Sequence, residues 1–393
     1  MGKGRIAFVP PRYGDEVVGG AETVLRQAAE RLAVRGWDVE ILTTCVRDHY
    51  TWANDYPAGS TRDGDLTIRR FPVVHGHDPI GWDALERRIR VGGTLTAEEQ
   101  LAWINGRFRV PGLFHHLVAQ AHTYRAIVFS PYLFWTTVVG ATVAPERSVI
   151  IPCLHDEHYA YQAIFQPLLG KSAQVWFMSE PEHQLAHRIA AVTDRHFVTG
   201  EGVLIPESYD PDGFRARHNI SRPYVLFVGR REEGKGWPDL LRAFSRAVVR
   251  LEIDLDLVVF GAGKIVLPAE IAGRVKDLGF LPQEEVGDAY AAAAAYVQPS
   301  HYESFSRTIM ESWLAGTPVI ANTACDVVRW HCERSGGGLL YSDEYELAEY
   351  LALVSDNPER LRHLGAAGRD YVLQNYTWEA ALERMEAALE ELP

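Results

Sequence analysis

Short apolar runs of four to six residues alternate along this chain with longer stretches whose apolar positions recur at helical spacing. The runs lie at residues 5–9, 39–43, 66–71, 126–129 and 148–153, and again at 224–228, 255–260, 295–298 and 318–321. They are rich in Val, Ile, Leu and Phe and do not alternate strictly. That is the pattern of strands buried on both faces, as in parallel sheets covered by helices. Amphipathic stretches such as 21–35 and 238–249 supply those helices. The βαβ rhythm predicts a doubly wound α/β architecture.

The rhythm restarts near the middle. Residues 202–221 are rich in Pro, Gly and polar side chains without a clear period and read as an interdomain linker. Two α/β domains of roughly 200 residues each are the simplest account: an N-terminal domain over 1–201, a C-terminal domain over 202–376, and a terminal helix over 377–393. One segment, 75–117, departs from the rhythm. It holds two helix-like pieces, and Thr96 with Glu99 three residues on fits a capping box. Such an insertion either shapes a substrate pocket or decorates the surface.

Charge narrows the partners. The 39 Lys and Arg against 52 Asp and Glu leave a net charge of −13. Residues 1–200 carry 20 basic and 21 acidic side chains, a balance of −1, and residues 201–393 carry 19 and 31, a balance of −12. Gripping nucleic acid calls for a basic excess, which is missing. No run of basic residues marks an anionic membrane surface either, so peripheral membrane contact has no support from charge. Cys45, Cys153, Cys325 and Cys332 match no zinc or disulfide spacing, and free thiols fit a reducing cytoplasm. The apolar run near the N-terminus is too short for a signal peptide, and none approaches a membrane span.

Parallel sheets bind ligands in the loops at the carboxyl ends of their strands. Four such loops carry chemistry. The first, after 5–9, ends in Gly19 and Gly20 where a helix begins, which either lets an anion approach the helix amides or makes a simple turn. The second, after 224–228, has Gly229, Arg230 and Lys235 between Gly234 and Gly236. It reads as a diphosphate clamp or as two solvated cations. The third, after 295–298, holds Glu303 and Glu311. With Ser304 as the helix cap, one carboxylate lies in the loop and the other two turns inside, a scale that suits a sugar and a ribose flanking a diphosphate. The fourth, after 148–153, is His155-Asp156-Glu157-His158, whose side chains alternate in direction and are poorly placed to share one metal ion. Asp254 and Asp256 spell DxD but open a strand, at the wrong end for a ligand. His183 and His187 lack the Glu of a metalloprotease helix and read as surface residues.

Together these loops resemble the retaining family 4 glycosyltransferases. The resemblance spans nearly the whole chain and rests on Glu303-x7-Glu311 followed by AGTPVIA, GGAE at 19–22, GR…GKG at 229–236 and the glycine turn at Gly261 and Gly263. It implies the GT-B fold, two Rossmann-like doubly wound domains facing across a cleft, with the donor in the C-terminal domain and the last helix crossing back to the N-terminal one. It further implies that Arg230 and Lys235 bind the diphosphate and stabilise the leaving group without a metal or other cofactor. Glu311 would hold the ribose, and Glu303 the donor sugar. Amides of Phe305 and Ser306 would meet the phosphates, with Gly20 close to them, and His155 would stand beside the sugar. The family often has Gly where Ser306 stands, so a hydroxyl is added to the donor contact. Asp156 is open to two readings, orienting His155 or receiving an acceptor hydroxyl. The implied reaction transfers a sugar from a UDP, GDP, ADP or dTDP sugar to a sugar, lipid-linked or natural-product acceptor. Its rivals are a nucleotide-sugar epimerase, a phosphorylase, or a sugar-nucleotide-binding protein without turnover.

Overall fold

The computed structural model describes residues 3–392 apart from Val18 and His77. Val18 of the first glycine loop, His77 of the insertion, residues 1–2 and Pro393 of the terminal segment lie outside the described residues. The chain divides into two compact units, Met1–Gly202 with Glu379–Pro393, and Val203–Trp378.

The strands of the first unit are β1 (Arg5–Val9), β2 (Asp38–Thr44), β3 (Gly59–Asp63), β4 (Leu66–Phe71), β5 (Val74–His75), β6 (Phe108–Arg109), β7 (Ala126–Phe129), β8 (Ser148–Ile150), β9 (Gln174–Phe177) and β10 (His196–Val198). Eight of them form one sheet in the order β10-β9-β8-β7-β1-β2-β4-β3, and β5 with β6 makes a separate ribbon. The sheet is parallel except for the hairpin of β3 and β4. Because β1 has β7 on one side and β2 on the other, the winding reverses there, and the loop after β1 stands at the switch point.

The second unit is one parallel sheet of β11 (Tyr224–Val228), β12 (Asp256–Phe260), β13 (Val275–Asp277), β14 (Ala295–Gln298), β15 (Val319–Asn322) and β16 (Gly338–Tyr341), ordered β13-β12-β11-β14-β15-β16. Its switch point lies between β11 and β14. The helix Trp237–Arg250 shows how sequence makes this layer. Trp237, Leu240, Leu241 and Phe244 are spaced for one face and are buried, while its polar positions stay outside.

Several expectations are corrected. The strand expected over 148–153 stops at Ile150, because Pro152 offers no N–H to the ladder and Cys153 turns into the left-handed region at φ 53°. The segment 202–221, expected as a linker, holds a helix. Asp210 accepts from the Gly213 amide and starts a helix, Pro211–Arg217, that buries Phe214. Ser304 is not the cap of the next helix, which runs over Arg307–Leu314 with Ser306 before it. Glu311 is therefore its fifth residue, hardly more than one turn inside. The insertion forms three helices, Pro79–Arg90, Ala97–Arg107 and Pro111–Gln120, and sinks Trp103, Ile104, Leu113 and Leu117 into the first core. Thr96 and Glu99 make the reciprocal capping box.

The helix Trp378–Glu390 packs with the first unit from Glu379 on. Its Glu386 takes hydrogen bonds from Arg35 at 2.7 Å and Trp37 at 2.9 Å, and the Ala388 carbonyl accepts from Gln174 at 2.6 Å. Among the described residues, no helix is long and apolar enough to cross a membrane.

Candidate active site

In the second unit, glycines bring the strand-end loops into contact. Gly229 takes φ 146°, and its carbonyl lies so near Gly261 that a Cβ there would sit 2.4 Å away. Gly236, at φ 66°, lies closer still to the Pro299 carbonyl, which a Cβ would meet at 2.0 Å. Only a residue without a Cβ accepts both the left-handed backbone and that approach. The His301 amide donates to the Gly234 carbonyl at 3.0 Å, so the loop after β11 is docked on the loop after β14.

That docking sets the chemistry. Lys235 donates to Glu303 Oε1 at 2.7 Å, with both side chains largely covered. The buried Gln298, last residue of β14, reaches the same oxygen at 3.3 Å, Ser306 Oγ at 2.7 Å and Thr308 Oγ1 at 3.1 Å. A cation, a carboxylate and a row of hydroxyls are thereby fixed at one switch point. Arg230 is half exposed and pairs with Glu232 at 2.9 Å. Its neighbour Arg231 is the buried one. It ties down the Gly261 and Gly263 carbonyls at 2.8 and 2.9 Å and pairs with Asp277.

Ser306 enters the helix at φ 67° and ψ 69°, the left-handed region. This accounts for a small residue at the position. Its hydroxyl oxygen accepts from Gln298, which leaves the O–H as a donor. Phe305 is buried edge-on against His331 and Tyr376, with centroids 5.5 and 5.1 Å away. Burial presses the His331 imidazole down to about 3. Glu311 is half-buried and accepts from Tyr290 Oη at 3.2 Å, and desolvation raises its carboxyl above the usual range.

In the first unit, Gly19 and Gly20 open the helix Gly20–Val34 at the switch point of β1. The space around a Gly20 Cβ is open within 4 Å, whereas one on Gly19 would strike Glu22 at 2.2 Å. Glu22 is buried and pairs with the buried Arg12 at 2.5 and 3.0 Å, and Arg12 also donates to the Arg47 carbonyl at 3.1 Å. This ion pair underlies the loop.

His155 follows β8. Its Nδ1 lies 3.5 Å from Glu157, which also accepts from Tyr132 at 3.3 Å. Asp156 instead accepts from Tyr161 at 2.7 Å and Arg188 at 2.9 Å. The reading of Asp156 as the group that orients His155 is thus corrected, because Glu157 stands there. Glu182 fixes the loop's start by accepting the Leu154 amide at 2.6 Å and the Met178 amide at 2.5 Å, and burial raises its carboxyl to about 8. His183 and His187, read as surface residues, have His196 of β10 beside them. Asp254 and Asp256 pair with Arg222 and Arg274.

Sequence reasoning missed Gln298, Tyr290, Arg231, Arg12 and Glu182, and gave Glu22 and Glu157 no role of their own. The signal available for Gln298 is a polar residue ending a strand whose other positions are apolar.

Sequence comparison agrees with this geometry. Residues 211–371 match the family described as Glycosyl transferases group 1. A D-inositol 3-phosphate glycosyltransferase of Corynebacterium diphtheriae is 32% identical over 406 residues, covering 96% of this chain and 90% of its own. Two solved structures share the fold. A sucrose-phosphate synthase of Thermosynechococcus elongatus has a TM-score of 0.76 at 20% identity, with 99% of each chain covered. Anabaena HepE, solved with UDP and glucose, has a TM-score of 0.72 at 18% identity, covering 98% of this chain and 99% of its own. The fold and its loops define a GT-B glycosyltransferase acting on nucleotide-sugar donors. The chain belongs to the group 1 glycosyl transferases, of the family 4 type.

Proposed function

We propose that the chain is a retaining, metal-independent hexosyltransferase whose donor diphosphate is bound by Lys235 and Arg230. The observation that carries this reading is the 2.7 Å contact of Lys235 with Glu303 at the switch point of the second sheet. An ammonium has three N–H donors, so one can serve Glu303 while others serve phosphate oxygens. A fixed cation there stabilises the charge that builds on the departing diphosphate, the work a divalent metal does in other enzymes. Arg230 adds a second cation by exchanging Glu232 for phosphate. Glu303 holds hydroxyls of the donor sugar, and Glu311 those of the ribose. The amides of Phe305 and Ser306 and the loop glycine Gly229 bind the phosphates.

From the first unit, Gly19, Gly20 and His155 serve the same reaction. Glu157 holds the imidazole in one orientation. Asp156 is assigned to an acceptor hydroxyl. The acceptor is a sugar or polyol, and the D-inositol 3-phosphate in the name of the Corynebacterium relative makes a phosphorylated cyclitol the first to try. Lipid-linked and natural-product acceptors come next. The donor nucleotide is UDP, GDP, ADP or dTDP, with UDP first because HepE was solved with it. The site of action is the cytoplasm.

The test is product analysis with each nucleotide sugar, with and without cyclitol phosphate or sugar acceptors, in EDTA. The reading expects an acceptor-dependent product whose anomeric configuration matches the donor. An inverted product, or activity restored only by a metal, overturns it. Product formed without any acceptor favours the epimerase.

A further inference from the structure

We propose that His183, His187 and His196 together bind one divalent transition-metal ion in the first unit, with Zn2+ as its probe. The helix Glu180–Ile189 places His183 and His187 four residues apart on one face. The edge strand β10 brings His196 to them, with centroids of the three rings 4.7, 4.8 and 5.2 Å apart. One ligand nitrogen from each lies within 4.8 Å of the other two. Tetrahedral Zn–N bonds of about 2.0–2.1 Å place nitrogens roughly 3.3 Å apart. Closing that gap takes up to about 1.5 Å between rings, and His187 is exposed.

The hydrogen bonds around the rings favour a ligand. His196 Nδ1 donates to the Thr193 carbonyl at 2.8 Å, so its Nε2 carries the lone pair. His183 Nδ1 faces Glu180 Oε1 at 3.3 Å, and donation to that carboxylate likewise leaves Nε2 as the acceptor. His183 Nε2 is buried without a hydrogen-bond partner among the described residues. A carboxylate or carbonyl behind the far nitrogen is the arrangement that orients metal-binding imidazoles and raises their basicity. Three neutral imidazoles suit Zn2+, Cu2+ or Ni2+ rather than Mg2+ or Ca2+. Three protein ligands leave one position for water. The ion would staple the helix Glu180–Ile189 to the outermost strand of the sheet.

The test uses the full chain without an affinity tag, stripped of metal and titrated with Zn2+ against a chromogenic chelator. Thermal unfolding and far-UV circular dichroism run alongside. The proposal expects one Zn2+ per chain, a rise in the thermal midpoint with Zn2+, and affinity weakened at least tenfold in H187A and in H196A. His187 is exposed, so H187A keeps the fold. Equal zinc binding by the wild type and the H187A/H196A double variant overturns the site. Wild-type affinity retained by H196A overturns the three-ligand arrangement.

Discussion

The two switch points solve the same problem differently. After β11 and β14, the candidate side chains hold one another, Lys235 to Glu303, Glu303 to Gln298, Gln298 to Ser306. After β1 and β8, the candidates Gly20 and His155 are held from beneath. Glu22 with Arg12 supports one loop, and Glu182 on two amides supports the other. A site that must grip a fixed, highly charged group benefits from preorganised charges whose positions depend on each other. Loops that present backbone and a single imidazole need a rigid floor, and a buried carboxylate provides one.

The comparison breaks most sharply at Lys235. Lys235→Ala removes the cation and its bond to Glu303, so turnover should fall about 1000-fold, the scale of losing one preorganised charge. The fold should survive because Lys235 is partly exposed. Single-turnover kinetics with saturating donor, alongside circular dichroism, decide it. A folded variant within tenfold of the wild type would remove the clamp from the mechanism.

The floor of the first unit is the next target. Arg12→Ala strands the Glu22 carboxylate in a buried position, which should cost about 3 kcal/mol. Hydrogen exchange should quicken through residues 12–30, while donor-nucleotide protection of the second unit stays as it was. Equal loosening of both units would erase the distinction drawn between them.

How far the sequence reveals this division follows from where each residue stands. The central strands declare themselves because each is a continuous apolar run. β3 was hidden, since all five of its residues are exposed and none carries an apolar side chain to mark a buried face. β10 and β13 have three residues each, too few to show a period. Lys235, Glu303 and Gly236 were legible because they stand in loops at the carboxyl ends of parallel strands, where such sheets bind ligands. Arg12, Glu22 and Glu182 were not. A buried carboxylate reads in sequence like any other helix Glu, and nothing in the chain marks Arg12 as the partner of Glu22 or the Leu154 amide as a partner of Glu182. At Ser306 the hydroxyl is legible in the sequence, and the left-handed backbone that carries it is not.

A smaller effect separates the floors chemically. The second unit rests Phe305 on His331, whose folded imidazole sits near 3 because it is buried. The unfolded chain binds its proton near 6.5, so between those values the unfolded state holds more protons. Stability therefore rises with pH through that window and is flat above it. Going from pH 7 to pH 5 should cost about 2 kcal/mol through this residue. His331→Phe should flatten that dependence. Urea unfolding of the second unit at both pH values measures it, and an unchanged slope would assign the acid sensitivity elsewhere.

The finest test concerns whether backbone or hydroxyl matters at Ser306. A left-handed L-residue costs about 1 kcal/mol, and a hydrogen bond such as that from Gln298 returns about the same. Ser306→Gly loses the bond and sheds the strain, so its stability should stay within about 0.5 kcal/mol of the wild type. Ser306→Ala loses the bond and keeps the strain, so it should fall about 1 kcal/mol below Ser306→Gly. Differential unfolding of the two variants reads the conformational cost alone, because both lack the hydroxyl. If they unfold together, the left-handed turn is not what selects a small residue before the helix Arg307–Leu314, and the Gln298 bond is the reason a serine stands there.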